Sequence, residues 1–279
     1  MIRAAVLGSP ISHSLSPVLH RTAYTHLKIA AKYSQFEVKS GQLQSFLNSH
    51  PDLNALSLTM PLKEEALTVV HQVSDLARQI SSGNTLHMVG DQWHLTSTDV
   101  AGFAEAMRFN STEISGKLLL IGAGATARAV VAACDGVSQE IHIINRNPDR
   151  ENLIRAAAPN SKLFFHPWAK TALINSADLV VNTTPGTAAD FFIDSVSNPI
   201  GSYFEVLYHP WPTQLFSHWL EQGSPTIDGI ELLVQQAISQ VELFAGVQVD
   251  RLQLSLLMRR AALTALADLA TRQRSNLQQ

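Results

Sequence analysis

The segment Gly122 to Ala127 reads Gly-Ala-Gly-Ala-Thr-Ala and joins the apolar run Lys117–Ile121 to a second apolar run that ends at Cys134. A G-x-G-x-x-A turn that leaves a strand and opens a helix is a dinucleotide-binding fingerprint. The first glycine makes the tight turn. The second lets backbone approach a pyrophosphate, and the small third residue lets helix and strand pack closely. The free N–H groups of the helix start then face phosphate. The competing reading is a glycine turn with no ligand. The next apolar run, EIHIINRN, ends in Asn145, Arg146 and Asn147, with Arg150 close behind. An NAD site places a carboxylate at that strand end, and none stands here. A guanidinium instead matches a 2′-phosphate bidentately and with charge assistance. The residue types point to NADP, with a solvated basic face as the alternative.

A nicotinamide cofactor needs a proton shuttle beside the reacting carbon. Lys63 and Asp99 are the acid–base pair that loop residues of the chain can supply. A lysine beside an alcohol can take its proton during oxidation and return it on reduction, with a carboxylate orienting it. Read singly, Lys63 is a surface lysine at a helix start and Asp99 a helix N-cap. The hydroxyl and amide groups of Thr59, Asn84 and Thr85 suit a polyhydroxylated ligand. Ser14 and Ser16, near a helix N-terminus, suit a carboxylate. Taken alone, each serine is a cap or turn residue. The eleven histidines show no metal-ligand spacing, and no metal is expected. His13, His20 and His26 read as structural or surface groups.

These residues need a scaffold, and the chain has the length for one. Its 279 residues and 46% apolar content describe a globular protein of two domains or one large one. The net charge of -3 carries no basic excess, which argues against nucleic acid and anionic membranes as partners. One cysteine, Cys134, excludes a disulfide framework within the chain and fits a reducing, cytoplasmic setting. No signal-peptide pattern or transmembrane run is evident in the sequence. Apolar runs at Ala4–Gly8, 33–38 and 53–58 predict strands, and a helix follows Pro17, with Ser16 as its N-cap. A further helix is expected from Glu64, and a hairpin-like piece around Asp91. Beyond Gly102, strands alternate with helices, which predicts parallel βαβ units. The tail from about Ile230 to Ala270 reads as helical, with Leu254, Leu257, Met258, Ala261, Ala265 and Leu269 on one apolar face. The expected fold is α/β with a boundary near Gly102.

The stretches SPISHSLSP, LTMPLK, GNTL, STDVAG, GAGATARA, NRN and IDGIELLVQQA occur in the order seen in shikimate dehydrogenases, from about residue 4 to residue 250. The chain resembles that family, and VLGSPISHSLSP and SLTMPLK look most like its actinobacterial branch. The resemblance implies an N-terminal α/β substrate domain, a Rossmann-type doubly wound NADP domain and C-terminal helices that return to the first domain. The expected division is 1–101 with 230–279, and 102–229. It implies reversible NADPH-dependent reduction of 3-dehydroshikimate to shikimate, on the route to chorismate and aromatic amino acids.

The resemblance carries over Lys63 as acid/base and Asp99 as its partner. Ser14 and Ser16 match serines that hold the substrate carboxylate, and Thr59, Asn84 and Gln236 match positions that bind its hydroxyls and ring. Tyr208 matches a tyrosine near the substrate. Gly122, Ala123, Gly124, Ala125 and Thr126 match the phosphate loop; Asn145, Arg146 and Arg150, with Asn147 beside them, match the 2′-phosphate site. Asn182 and Thr183 match a strand end beside the cofactor. Ser57 shortens a substrate-contacting side chain, since the family often has Asn-Val-Thr where this chain has Ser57-Leu58-Thr59. Ser97, Glu205 and Glu231 also depart from the family's usual Asn, Asp and Gly. Two rivals stay open: a quinate/shikimate dehydrogenase with another cofactor or substrate preference, and a catalytically silent metabolite-binding homologue. The chain is expected to act as a monomer or homodimer on a small molecule.

Overall fold

Strand β1 (Ile2–Gly8) carries Ala4, Ala5, Val6 and Leu7, four buried apolar residues in succession. A strand apolar on both faces needs cover on both sides, the situation of parallel strands linked by helices. The computed structural model describes residues 1–277; the last two residues of the expected 230–279 segment lie outside them. β1 pairs in parallel with β2 (Ala31–Glu37) and β3 (Ala55–Leu58), reached through α1 (Ser16–His26) and α2 (Leu43–Ser49). After α3 (Leu62–Val69), β4 (Gln72–Val73) and α4 (Asp75–Gln79) come β5 (Thr85–Val89) and β6 (Gln92–Thr96), an antiparallel hairpin turned at Gly90 and Asp91. The strand order is β2-β1-β3-β5-β6-β4. Leu7, Leu56, Leu58, Leu62, Leu86 and Leu95 form the core beneath the site.

The second part begins at α5 (Asp99–Phe109) and continues with β7 (Lys117–Ile121), α6 (Ala125–Ala133), β8 (Glu140–Ile144), α7 (Glu151–Ala157), β9 (Leu163–His166), β10 (Leu179–Asn182), β11 (Ser202–Glu205), α8 (Gln214–Glu221) and β12 (Thr226–Ile227). All six strands run parallel in the order β12-β11-β10-β7-β8-β9. The chain leaves β9 at one edge and re-enters beside β7, so the order reverses between β7 and β10. That is the doubly wound, Rossmann-type arrangement, whose ligands bind outside the carboxyl ends of the strands at the reversal.

The tail forms α9 (Gly229–Ala245) and α10 (Arg251–Leu277), separated by a turn at Gly246 with φ +64°. α10 packs on α1 and buries Leu254, Ser255, Met258 and Ala262. The C-terminal helices therefore return to the first part of the chain. The contacts divide the chain into one unit of Met1–Ala77, Gly83–Thr98 and the residues from Leu233 on, and another of Arg78–Ser82 and Asp99–Leu232. Arg128 belongs with the short 78–82 segment: its buried guanidinium donates to the carbonyls of Ile80 and Ser81, at 2.6 and 3.1 Å.

Three sequence expectations are corrected locally. Ser16 is not an N-cap. Leu15 holds that position, no side chain caps α1, and Ser16 is the first helical residue, within hydrogen-bonding reach of the Tyr33 phenol. The strand expected over 53–58 starts at Ala55, because Leu53 N–H closes a turn onto His50 and the Asn54 amide accepts from Arg3 N–H. α3 starts at Leu62 and not at Glu64, because Leu62 N–H already bonds the Thr59 carbonyl. Cys134 is buried at the end of α6, where burial pushes its thiol up to about 12, so it is inert packing.

Candidate active site

In the first unit, β1 and β3 both end at the same edge of the sheet. Thr59, just past β3, donates its N–H to the Leu7 carbonyl at 2.9 Å. A Cβ on Gly8 would lie 2.9 Å from the Met60 carbonyl oxygen, so glycine is needed for the two loops to cross there. Lys63 is the second residue of α3 and is half-buried. Its carbonyl accepts the Gly83 N–H at 2.9 Å, which ties the first turn of α3 to the loop that carries Asn84. Asn84 is buried, and its Nδ2 lies 3.2 Å from Gln236 Oε1 on α9. Lys63, Asn84 and Gln236, 173 positions apart at the extremes of the sequence, thus belong to one neighbourhood. Ser14 and Ser16 lie in the loop and first turn that follow β1; Ser16 N–H points at Ser14 Oγ across 3.4 Å.

Around these residues lies a buried polar cluster that sequence reading missed. Ser57 accepts from the Tyr33 phenol at 2.6 Å and donates to Gln240 Oε1 at 2.7 Å. His20 stacks on Tyr33 with ring centroids 4.1 Å apart, and its ring nitrogens face Tyr24 Oη and Gln240 Oε1. Thr85 and Thr98 close the cluster against the Asn84 amide. Burial lowers the His20 imidazole to about 3 and raises both phenols, so all three rings are neutral near pH 7. The one sequence signal was Gln240, a polar residue four positions after Gln236 and so on the same face of α9.

In the second unit, Asp99 is the first residue of α5 and is buried. Gly122 has φ +112°, and a Cβ there would lie 2.5 Å from Thr183 Oγ1, so no other residue fits. Thr183 in turn donates its hydroxyl to the Ile121 carbonyl at 2.9 Å. Gly124 holds the N-cap position of α6 with no side-chain cap, and open space stands where its Cβ would be. Residues 127–131 of α6 are buried, whereas Gly124, Ala125 and Thr126 remain accessible. The turn therefore offers uncapped backbone N–H groups beside an unfilled cradle, which fits a pyrophosphate.

Asn145, just beyond β8, donates Nδ2 to the Asn147 carbonyl at 2.7 Å, while Asn147 Oδ1 accepts the Asp149 N–H. These two amides shape the loop. Arg146 is exposed and lies over the Trp168 ring, 5.2 Å from its centroid; Arg150 is half-buried nearby in sequence. The aromatic face pre-orients the Arg146 guanidinium.

Asn182 ends β10 fully buried, and its orientation is set by Glu205, which ends β11. Glu205 accepts from Asn182 Nδ2 at 3.0 Å, the Tyr203 phenol at 2.7 Å, the Thr213 hydroxyl at 3.0 Å and the Leu207 N–H at 3.1 Å. Burial raises the Glu205 carboxyl above the ordinary carboxylate range, and the donors pull the other way. Every facing group is a donor, so the surroundings demand an acceptor. Glu205→Gln places an NH₂ among those donors and is expected to cost about 2–3 kcal/mol, read as a lower urea midpoint. An unchanged midpoint refutes this account of the cluster. Tyr208, half-buried past β11, has its phenol pushed up to about 12 by burial and so keeps its proton as a donor.

Comparison with known proteins joins these features. The model of the shikimate dehydrogenase substrate binding domain matches residues 6–86. A shikimate dehydrogenase (NADP(+)) of Nostoc sp. is 31% identical over 262 residues, covering 86% of this chain and 89% of that protein. The crystal structure of shikimate 5-dehydrogenase from Thermus thermophilus with shikimate superposes with a TM-score of 0.85 at 29% identity, covering 96% of this chain and 100% of that one. The same enzyme with NADP(H) and shikimate gives a TM-score of 0.81 at 28% identity, over 94% and 100% of the two chains. The two-sheet fold, the glycine turn and this similarity over most of the length agree: the chain belongs to the shikimate dehydrogenase family.

Proposed function

We propose that the chain catalyses the reversible NADPH-dependent reduction of 3-dehydroshikimate to shikimate, as a cytoplasmic step toward chorismate and the aromatic amino acids. The observation that supports the reading is the bond from Gly83 N–H to the Lys63 carbonyl, which ties the first turn of α3 to the loop that carries the buried Asn84–Gln236 pair. A proton-transfer group and paired amides in one neighbourhood suit a hydroxylated ring. Bound NADP supplies or takes up the hydride. In this reading Lys63 gives a proton to the substrate oxygen or removes one from it. Asp99 orients it. Ser14 and Ser16 receive the substrate carboxylate, and Ser57, Thr59, Asn84, Tyr208 and Gln236 bind hydroxyls and ring. Of the residues given to the substrate, all but Asp99 and Tyr208 belong to the first unit, and the residues given to the cofactor belong to the second.

The cofactor reading assigns Gly122, Ala123, Gly124, Ala125 and Thr126 to the pyrophosphate. Arg146 and Arg150 take the 2′-phosphate, with Asn145 and Asn147 shaping their loop, and Asn182 and Thr183 stand at the end of β10. Purified protein assayed with shikimate or quinate, each with NADP or NAD, tests this directly. Turnover with shikimate and NADP is expected. Preference for quinate or NAD favours the first rival, and no turnover with any pair favours a silent homologue.

A separate measurement tests the phosphate site. Arg146→Ala is expected to raise KM for NADP about 10- to 100-fold, the worth of a bidentate charge-assisted pair, and to leave KM for NAD within about twofold. Equal effects on both cofactors contradict the assignment.

A further inference from the structure

We infer that Gln240 is a positioning residue for substrate binding, acting through the Thr85 hydroxyl on the Asn84 amide. The inference rests on the reading that Asn84 faces substrate. Its basis is the direction of each hydrogen bond. Gln240 Nε2 lies 3.1 Å from the Asn84 backbone carbonyl, which can only accept, so this end of the Gln240 amide is the NH₂. Its second hydrogen goes to Thr85 Oγ1 at 2.9 Å. Gln240 Oε1 then faces Ser57 Oγ at 2.7 Å and His20 Nε2 at 3.1 Å, and both must donate to it. His20 therefore carries its proton on Nε2 and accepts from the Tyr24 phenol at Nδ1, 3.2 Å away. Two donors and two acceptors of one buried amide are all engaged, so the amide cannot turn over without breaking every bond.

The consequence falls on Asn84. Because Thr85 Oγ1 accepts from Gln240, its own proton points to Asn84 Oδ1, 2.7 Å away. The Thr98 N–H reaches the same oxygen at 2.8 Å. These donors, with the Thr98 hydroxyl 3.2 Å from the same oxygen, hold the Asn84 amide in one orientation and polarise it, which strengthens Nδ2–H as a donor. Nδ2 is the end that faces Thr98 Oγ1 at 3.0 Å and Gln236 Oε1 at 3.2 Å. Gln236 and Gln240 lie one turn apart on α9, so a single helix face supplies both the neighbour of Asn84 and the group that orients it. Gln240 also bonds Ser57, so it braces β3 and β5 together.

The test is steady-state kinetics of Thr85→Val and Gln240→Met, which keep volume while removing the hydroxyl or the amide. Each is expected to raise KM for shikimate about fivefold, the usual worth of one hydrogen bond, with kcat and KM for NADP within about twofold. Thr85→Ser restores the wild-type value. The double variant is expected to be no worse than Gln240→Met alone, because both cut one chain; a structural role without the relay gives additive losses. Asn84→Ala is measured in parallel. If it raises KM for shikimate and neither single variant does, the relay is wrong and the reading of Asn84 stands. If Asn84→Ala also leaves KM unchanged, both fall.

Discussion

Replacing Lys63 with alanine is expected to lower kcat by about three orders of magnitude while leaving affinity for NADP within about twofold. General acid–base catalysis by a placed side chain is worth about 10²- to 10⁴-fold. The alcohol and ketone forms of the substrate differ by a hydride on carbon and a proton on oxygen, and that proton needs a partner at the moment the carbon changes. The chain spends structure on holding this lysine. Its carbonyl is tied to the Gly83 N–H at 2.9 Å, and the preceding residue, Leu62, is fully buried. Lys63→Arg is the sharper variant. It keeps charge and reach, but a guanidinium does not give up its proton in proteins, so kcat is expected to fall as far as in Lys63→Ala. Stopped-flow or steady-state turnover of shikimate, with NADP affinity from fluorescence titration, checks both. A kcat within threefold of wild type in either variant removes Lys63 from the proton-transfer role.

The parts of this molecule that were legible in the sequence are those written in contiguous residues. Gly122-Ala-Gly is readable because the backbone geometry itself, φ +112° at Gly122, admits one residue type. Lys117–Ile121 is readable as a buried strand because parallel pairing on both sides needs apolar residues in an unbroken run. Strand and helix ends were less legible, since local bonds decide them. Asn54 leaves the expected strand because its amide caps the backbone of Arg3.

The buried cluster of the first unit was hidden for another reason. Gln240 meets Ser57, Thr85 and His20 across separations of 183, 155 and 220 residues. Each of these is ordinary in its own segment: a serine in a strand, a histidine on a helix, a glutamine one turn past another. Only the return of α9 to the first sheet makes them partners. The cluster also changes how Ser57 reads. As a sequence feature it was a shortened contact. In the structure it is also a junction, accepting from Tyr33 and donating to Gln240.

Acid is expected to destabilise the first unit through His20. The imidazole is fully buried, and burial lowers it from 6.5 to about 3, against an upward pull from the Gln240 hydrogen bond. Below about pH 6.5 the unfolded chain therefore binds a proton that the folded chain refuses. Stability contributed by this group is complete above the unfolded value and falls as pH drops toward 3. With one pKa unit worth about 1.36 kcal/mol, the loss is about 2 kcal/mol between about pH 7 and about pH 5, and about 5 kcal/mol across the whole window. The facing groups do not offset it. Tyr24 and Tyr33 are raised by burial and stay protonated throughout, and Ser57 and Gln240 do not titrate. His87 and His166 are lowered as well and add slope of the same sign, so the wild-type slope alone is not diagnostic. The difference between wild type and His20→Gln is. Urea unfolding followed from about pH 7 to about pH 5 is expected to show the wild type losing about 2 kcal/mol more than the variant, even though the variant starts less stable. Parallel slopes place the acid sensitivity elsewhere and mean that the His20 site admits a proton or water in the folded state.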